Sequence, residues 1–210
     1  MRAEIIETTP AVDLVFTDLR DAFADLRSAA HSPKLVRRAF SRFVDLTQRL
    51  TNVMRKDYKA LTGERWSATD FPGWTETTTV FKQLRNDEQH ELPLHVSVEE
   101  TRYYQVAPGI DQFFVMSGVW ALTDQLANNP PEGMALHLGD PQTGAMLPDP
   151  LQVSRITYRF LLQPRDDIQK TLIQQLTSTD VIEMSNECMV TLAQYHALYG
   201  AKVAAFKNLQ

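Results

Sequence analysis

The sequence predicts an α+β fold in which a helical bundle is interrupted by an antiparallel sheet. Apolar residues recur at helical spacing up to about residue 91, alternate with a period of two over about 94–163, and return to helical spacing afterwards. No charged or Gly/Ser-rich linker separates these parts. We therefore expect a single domain over residues 1–210, with residues 10–91 and 165–206 forming the bundle and residues 94–163 forming a β insertion.

The helices are predicted from their starting residues and their apolar periodicity. Thr9-Pro10 and Ser32-Pro33 each combine a capping residue with a proline at the first helical position, and Asp180 is placed to cap the last helix. The long helices are expected at about residues 10–29, 32–61, 75–91 and 180–206. A shorter helix is expected from Asp166-Asp167 to about Leu176, because two carboxylates suit a helix N-terminus.

The insertion is predicted to contain about four or five strands. Its segments are rich in β-branched and aromatic residues, and turn residues such as Pro108-Gly109 separate them. No crossover helix lies between them, so the strands are expected to pair antiparallel. The predicted strands are Leu94–Val98, Arg102–Val106, Phe113–Leu122, Met134–Leu138 and Val153–Leu162.

The composition is that of an ordinary globular protein, with 43% apolar and 22% charged residues. No window of about eighteen residues is apolar enough to span a membrane, and the first residues lack the basic and apolar regions of a signal peptide. We therefore expect a cytoplasmic location and no membrane partner. The single cysteine, Cys188, lies in an apolar helical pattern, which favours a buried structural thiol over a nucleophile.

Positive charge is concentrated in the second predicted helix. The whole chain has a net charge of −5, whereas the segment from Lys34 to Arg65 carries nine basic and three acidic residues. At about 100° per residue, four basic side chains fall within about 40° of one another beside the apolar stripe. These residues are Arg38, Arg42, Arg49 and Lys56. Such a face is either simply solvated or a contact for phosphates, and salt would weaken a polyanion bound there.

Arg85, Asn86 and His90 form the pattern that points most directly to chemistry. Asn86 and His90 are four residues apart and share a helix face, whereas Arg85 lies about 140° from His90. One ligand therefore needs a helix end or a two-fold mate to bring the arginine and the histidine together. Histidine exchanges a proton near neutral pH, arginine binds phosphate through two hydrogen bonds, and a ribose 2′-hydroxyl is itself a nucleophile. By spacing alone, an ordinary surface helix end fits the same residues.

The neighbours of this motif are acidic. Asp87, Glu88 and Glu91 repel a phosphodiester and raise the proton affinity of His90, so the site would depend on the second helix for attraction. His90, Glu91 and His95 match no known zinc or iron spacing. We therefore predict no metal and no cofactor.

The long second helix, a third helix ending in Arg85-Asn86-x3-His90 and a closing helix resemble the HEPN superfamily. The motif of that superfamily is R-x4-6-H with a polar residue, often asparagine, after the arginine. The resemblance covers roughly residues 10–91 and 180–206, and the inserted sheet is similar to an arrangement in uncharacterised bacterial HEPN-like proteins. It implies a helical bundle, a homodimer and, in many members, a metal-independent endoribonuclease that leaves a 2′,3′-cyclic phosphate.

On this resemblance, Arg85 binds the scissile phosphate, Asn86 orients the reacting groups and His90 acts as general acid and base. RNA and an antitoxin or another protein are the expected partners, because such enzymes occur in toxin–antitoxin, antiphage and RNA-processing systems. The alternative is a non-catalytic HEPN-like dimer with an interaction or regulatory role. In that case Arg85 and His90 make structural hydrogen bonds.

Overall fold

The helices and strands follow one another in the predicted order. The computed structural model describes residues 10–66, 76–89, 95–106, 113–123, 126, 128, 142–146 and 151–208. These residues contain helices α1 (Pro10–Ser28), α2 (Pro33–Thr62), α3 (Glu76–Gln89), α4 (Asp167–Ile173) and α5 (Val181–Lys207), and strands β1 (Val96–Gln105), β2 (Phe113–Ala121) and β3 (Val153–Leu162). The α+β class is therefore confirmed. None of the described helices is long and apolar enough to cross a membrane.

Helices α1 and α2 form a hairpin whose apolar faces pack together. Residues of α1 at helical spacing are buried, namely Val12, Val15, Leu19, Ala22 and Leu26. Helix α2 buries a matching face, and it ends where Gly63 adopts a left-handed conformation with φ of 74°. The N–H of Gly63 donates to the carbonyl oxygen of Lys59, so the last turn of α2 is closed. The polar faces of α1 and α2 therefore point outward.

Helix α5 completes the bundle by packing against α1, α2 and α3. The carboxylate of Asp180 accepts hydrogen bonds from the N–H groups of Ile182 and Glu183, as expected of a capping residue. Cys188 is fully buried in this helix, which confirms the expected burial of the thiol. Burial raises the pKa of the Cys188 thiol, and the negative charge of Glu187 raises it further. The thiol is therefore held uncharged in the core.

The sheet has the strand order β2-β1-β3, with β1 antiparallel to both neighbours. One face of the sheet joins the helical core at one end of the strands. There, Val96 and Val98 of β1 and Phe160 and Leu162 of β3 are buried. The opposite face carries the alternate residues of each strand and includes several exposed apolar side chains.

The prediction of four or five strands is wrong for the described residues, which contain three strands. The predicted strands Leu94–Val98 and Arg102–Val106 are parts of one continuous strand, β1. The predicted strands Phe113–Leu122 and Val153–Leu162 correspond to β2 and β3. The predicted strand Met134–Leu138 lies outside the described residues.

Two adjacent glutamates in the middle of β1 each have an arginine partner. Glu99 faces Arg159 across the sheet, with 3.2 Å between Oε2 and Nη1. Glu100 is 7% exposed on the other face, and its carboxylate pairs with Arg102 on the same strand. Each charge therefore has a partner in the sheet, which offsets the cost of placing it in the middle of a strand.

Candidate functional site

The four basic residues predicted to share a face of α2 all lie on its exposed side. The opposite side of α2 is buried and includes Phe43, Leu50 and Met54. We refer to the four exposed residues as the basic stripe, which consists of Arg38, Arg42, Arg49 and Lys56. The stripe runs along the outside of the bundle. Its side chains can therefore be solvated there, or they can contact phosphate groups without steric hindrance.

An acidic residue of α1 partly neutralises the basic stripe. Arg42 donates from Nη1 to Oδ2 of Asp25 at 2.9 Å, and the side chains are 53% and 60% exposed. Exposed ion pairs of this kind contribute only about 0.2–1 kcal/mol. Arg42 can therefore exchange Asp25 for a phosphate at little cost.

Arg85 meets the basic stripe through Asp45 of α2. Its Nε lies 3.6 Å from Oδ1 of Asp45, and the two side chains are 25% and 59% exposed. Asp45 follows Arg38 by seven residues, so it lies on the same side of α2, between Arg42 and Arg49. The arginine of the motif and the basic stripe thus belong to one continuous surface.

The packing of α3 determines this position of Arg85. Val80, Phe81 and Leu84 are buried and anchor the helix to the bundle. Phe81 contacts Phe43 of α2 edge-on, with 5.6 Å between ring centroids. Since Arg85 directly follows Leu84, its side chain leaves the core at the border between α3 and α2.

Asn86 lies in the described part of the motif, and its side chain is exposed. The described part of α3 runs to Gln89, and the last two residues of the predicted helix, 90 and 91, lie outside the described residues. His90 lies outside the described residues, as do the side chains of Asp87, Glu88 and Gln89. The proximity of Arg85 and His90 therefore stays a prediction.

The sequence reasoning missed Asp45 as the partner of Arg85. The signal for it was present, because Asp45 falls only about 20° beside the angular range of the basic stripe and interrupts its positive charge. The position of α3 on α2 could not be predicted from the sequence in the same way. Nothing in the spacing of α2 indicates which side of it the third helix covers.

Trp66 packs between two tyrosines. Its ring meets Tyr58 edge-on and stacks on Tyr195 at an interplanar angle of 15°, with centroid distances of 5.9 Å in both cases. Trp74 lies outside the described residues.

His196 joins α5 to α1. Its ring stacks on Phe16 at a centroid distance of 4.1 Å, and its Nε2 lies 2.9 Å from Oδ1 of Asp13. His196 therefore packs between the two helices. Among the described residues, no group of three histidine, cysteine, aspartate or glutamate side chains is arranged to hold a metal ion.

A polar cluster on the inner face of the sheet is a further feature that the sequence reasoning missed. Glu100 lies directly opposite Tyr158 of β3, and Arg102 follows on the same face. Burial raises the pKa of the Tyr158 phenol, and the charge of Glu100 raises it further, while Arg102 opposes this change. The phenol therefore stays protonated beside the carboxylate.

Comparison of the chain with protein-family models, curated proteins and solved structures finds no match. The resemblance to the HEPN superfamily consequently depends on the motif and on the arrangement of helices. Membership of that superfamily stays a prediction.

Proposed function

We propose that this protein is a HEPN-like endoribonuclease that binds RNA along the basic stripe and cleaves it at the end of α3 without a metal ion. The observation that carries the proposal is the contact between Arg85 and Asp45, because it brings the arginine of the motif to the basic stripe. A backbone bound along α2 passes directly beside Arg85. The basic stripe supplies the attraction that the acidic neighbours of the motif oppose.

The proposed reaction begins with attack of a ribose 2′-hydroxyl on the adjacent phosphorus. The bond from phosphorus to the 2′-oxygen forms and the bond to the 5′-oxygen breaks, leaving a 2′,3′-cyclic phosphate and a 5′-hydroxyl. Arg85 binds the phosphate and offsets the charge of the transition state, and His90 moves the proton between the two oxygens. Asn86 orients the reacting groups. A two-fold mate completes the cleft.

Engagement of Arg85 by Asp45 is compatible with this role. Asp45 is 59% exposed, so solvent screens its carboxylate and weakens the pair, whereas Nε of Arg85 is itself buried. A phosphodiester offers two oxygens to the guanidinium, which gives shorter and stronger hydrogen bonds than one distant carboxylate oxygen. At this position RNA thus competes with an exposed carboxylate.

The test is cleavage of RNA by purified protein in the presence of a chelator. We expect the wild-type protein to produce 2′,3′-cyclic phosphate ends and His90→Ala and Arg85→Ala to lose this activity. His95→Ala is the matched control, because His95 is exposed at the start of β1 and carries no proposed role. Intact RNA with the wild-type protein, or equal cleavage by His90→Ala, would contradict the proposal.

A second candidate function is a non-catalytic HEPN-like dimer that binds a protein partner such as an antitoxin. It is favoured by the 25% exposure of Arg85, which suits a structural link between α3 and α2. In that case Arg85→Ala lowers the melting temperature of the protein, and neither the wild-type protein nor any variant cleaves RNA. The first candidate predicts that Arg85→Ala removes cleavage while the melting temperature changes little. For either function we propose a cytoplasmic location.

A further inference from the structure

Strand β2 presents an edge that lacks the usual protection against pairing. Its nine residues, FFVMSGVWA, include no charged residue and no proline, and its register with β1 has no irregularity. Val115 and Val119 are 56% and 66% exposed. Among the described residues, no strand pairs with its outer side. Edge strands of this kind readily pair with another strand.

The other edge of the sheet is protected in several ways. Strand β3 carries Arg155 and Arg159, and its register with β1 shifts at Tyr103/Tyr104. Its end is also bridged to Asp180 through Leu161. The contrast indicates that the unprotected edge of β2 serves for contact with another strand.

The backbone of β2 directs its alternate residues outward. Leu122 donates its N–H to the carbonyl oxygen of Val96 at 2.7 Å, so even-numbered residues of this segment form the hydrogen-bonded pairs with β1. The N–H and carbonyl groups of Phe113, Val115 and Ser117 therefore point away from β1, as do those of Val119. These groups are the ones that an added strand must use.

We propose that β2 pairs antiparallel with β2 of a second copy of this chain, about a two-fold axis at Ser117, to form a six-stranded sheet. This register uses the outward groups of both strands and gives about eight main-chain hydrogen bonds, because the carbonyl oxygen of Ala121 already accepts from the N–H of Thr123. On the outer face it places Val115 opposite Val119 of the second copy, and Phe113 opposite Ala121. The interaction is independent of the proposed nuclease function.

The sequence of β2 complements itself in this register. A large side chain faces a small one where Phe113 meets Ala121 and where Met116 meets Gly118. Gly118 is exposed, and a Cβ placed there would have no atom within 4 Å among the described residues outside its chain neighbours, so the methionine of the second copy has room. No like charges meet, because the strand has none. A second copy therefore fits this edge better than a charged peptide does.

The test uses charge substitutions at the two exposed valines. In the proposed register, Val115→Lys/Val119→Lys brings lysines opposite lysines, and Val115→Glu/Val119→Glu brings carboxylates opposite carboxylates. We expect each to halve the mass measured by light scattering. Val115→Lys/Val119→Glu is the matched control, because it places opposite charges face to face and should keep the wild-type mass. Mixing the lysine and glutamate variants should restore it.

Folding and RNA cleavage are measured separately in the same preparations of the valine variants. Both valines point to solvent, so far-UV circular dichroism and the melting temperature should change little, and the RNA cleavage assay shows whether any nuclease activity depends on this contact. A monomeric wild-type protein at its highest soluble concentration would overturn the inference. An unchanged mass in the two like-charge variants would also do so, as would loss of mass in Val115→Lys/Val119→Glu. Concentration-dependent protection of the outward amides from hydrogen exchange gives an independent check.

Discussion

Arg85 of α3 and Asp45 of α2 form an ion pair across the helix boundary, with 3.6 Å between Nε and Oδ1. The aspartate is more exposed than the arginine and lies between two basic residues of the stripe, Arg42 and Arg49. It therefore places a negative charge at the point where the stripe meets the motif. In the proposed RNA site, the carboxylate of Asp45 therefore competes with the phosphate groups of RNA for the basic side chains.

Removal of this competitor is expected to strengthen RNA binding. Asp45→Asn should lower the Kd for a short RNA by about threefold to fivefold at low salt, since one charge near a phosphate in solvent is worth about 1 kcal/mol. Fluorescence anisotropy measures the change. Glu183→Gln removes the same charge from the exposed start of α5 and should leave the Kd unchanged. Equal effects of the two substitutions would exclude a local role for Asp45.

Reversal of charge in the basic stripe is expected to abolish RNA binding. Arg42→Glu with Arg49→Glu changes two exposed positions of α2, so the fold should be retained. Arg165→Glu with Lys170→Glu makes the same change of charge near α4 and serves as the control. Unchanged affinity at low salt would rule out the stripe as the RNA contact.

Stability is expected to fall at alkaline pH because of Cys188. Burial raises the pKa of this thiol in the folded protein, whereas the thiol of the unfolded chain ionises near about pH 8.5. The contribution is fully present below that pH and is lost above it, by about 1.4 kcal/mol per pH unit. Cys188→Ala should lower the stability at pH 7 but weaken this dependence. Urea denaturation between pH 7 and 10.5, at about half-unit steps, measures the slope. Identical slopes for the two proteins would refute the assignment.

The hydrogen bond from Tyr199 to Asp57 is expected to stabilise the contact between α5 and α2. Tyr199 is fully buried, and its hydroxyl donates to Oδ2 of Asp57. Tyr199→Phe should cost about 1–3 kcal/mol and lower the melting temperature by about 2–4 °C per kcal/mol. Tyr58→Phe is the matched control, because its hydroxyl lies 3.5 Å from Glu64 and contributes less. A smaller loss for Tyr199→Phe than for Tyr58→Phe would contradict this ranking.

The helices were more predictable than the sheet. Local signals define the helices, such as the proline at the start of α2, the left-handed Gly63 at its end and the cap at Asp180. The continuity of β1 depends instead on pairing with β2 and β3, in which Glu99 meets Arg159 sixty residues away. Two adjacent charged residues inside a strand look like the end of that strand when only neighbouring residues in the sequence are considered.

The sequence by itself determined the α+β class, the order of elements and the exposed basic face of α2, because periodicity and capping are properties of neighbouring residues. Only the tertiary structure decided that Arg85 meets Asp45, that Glu99 faces Arg159 and that β2 is an outer strand among those that the structure describes. These relationships join residues that are distant in sequence. Packing of the buried faces selects them, and several arrangements of the same helices and strands would satisfy the local patterns equally well.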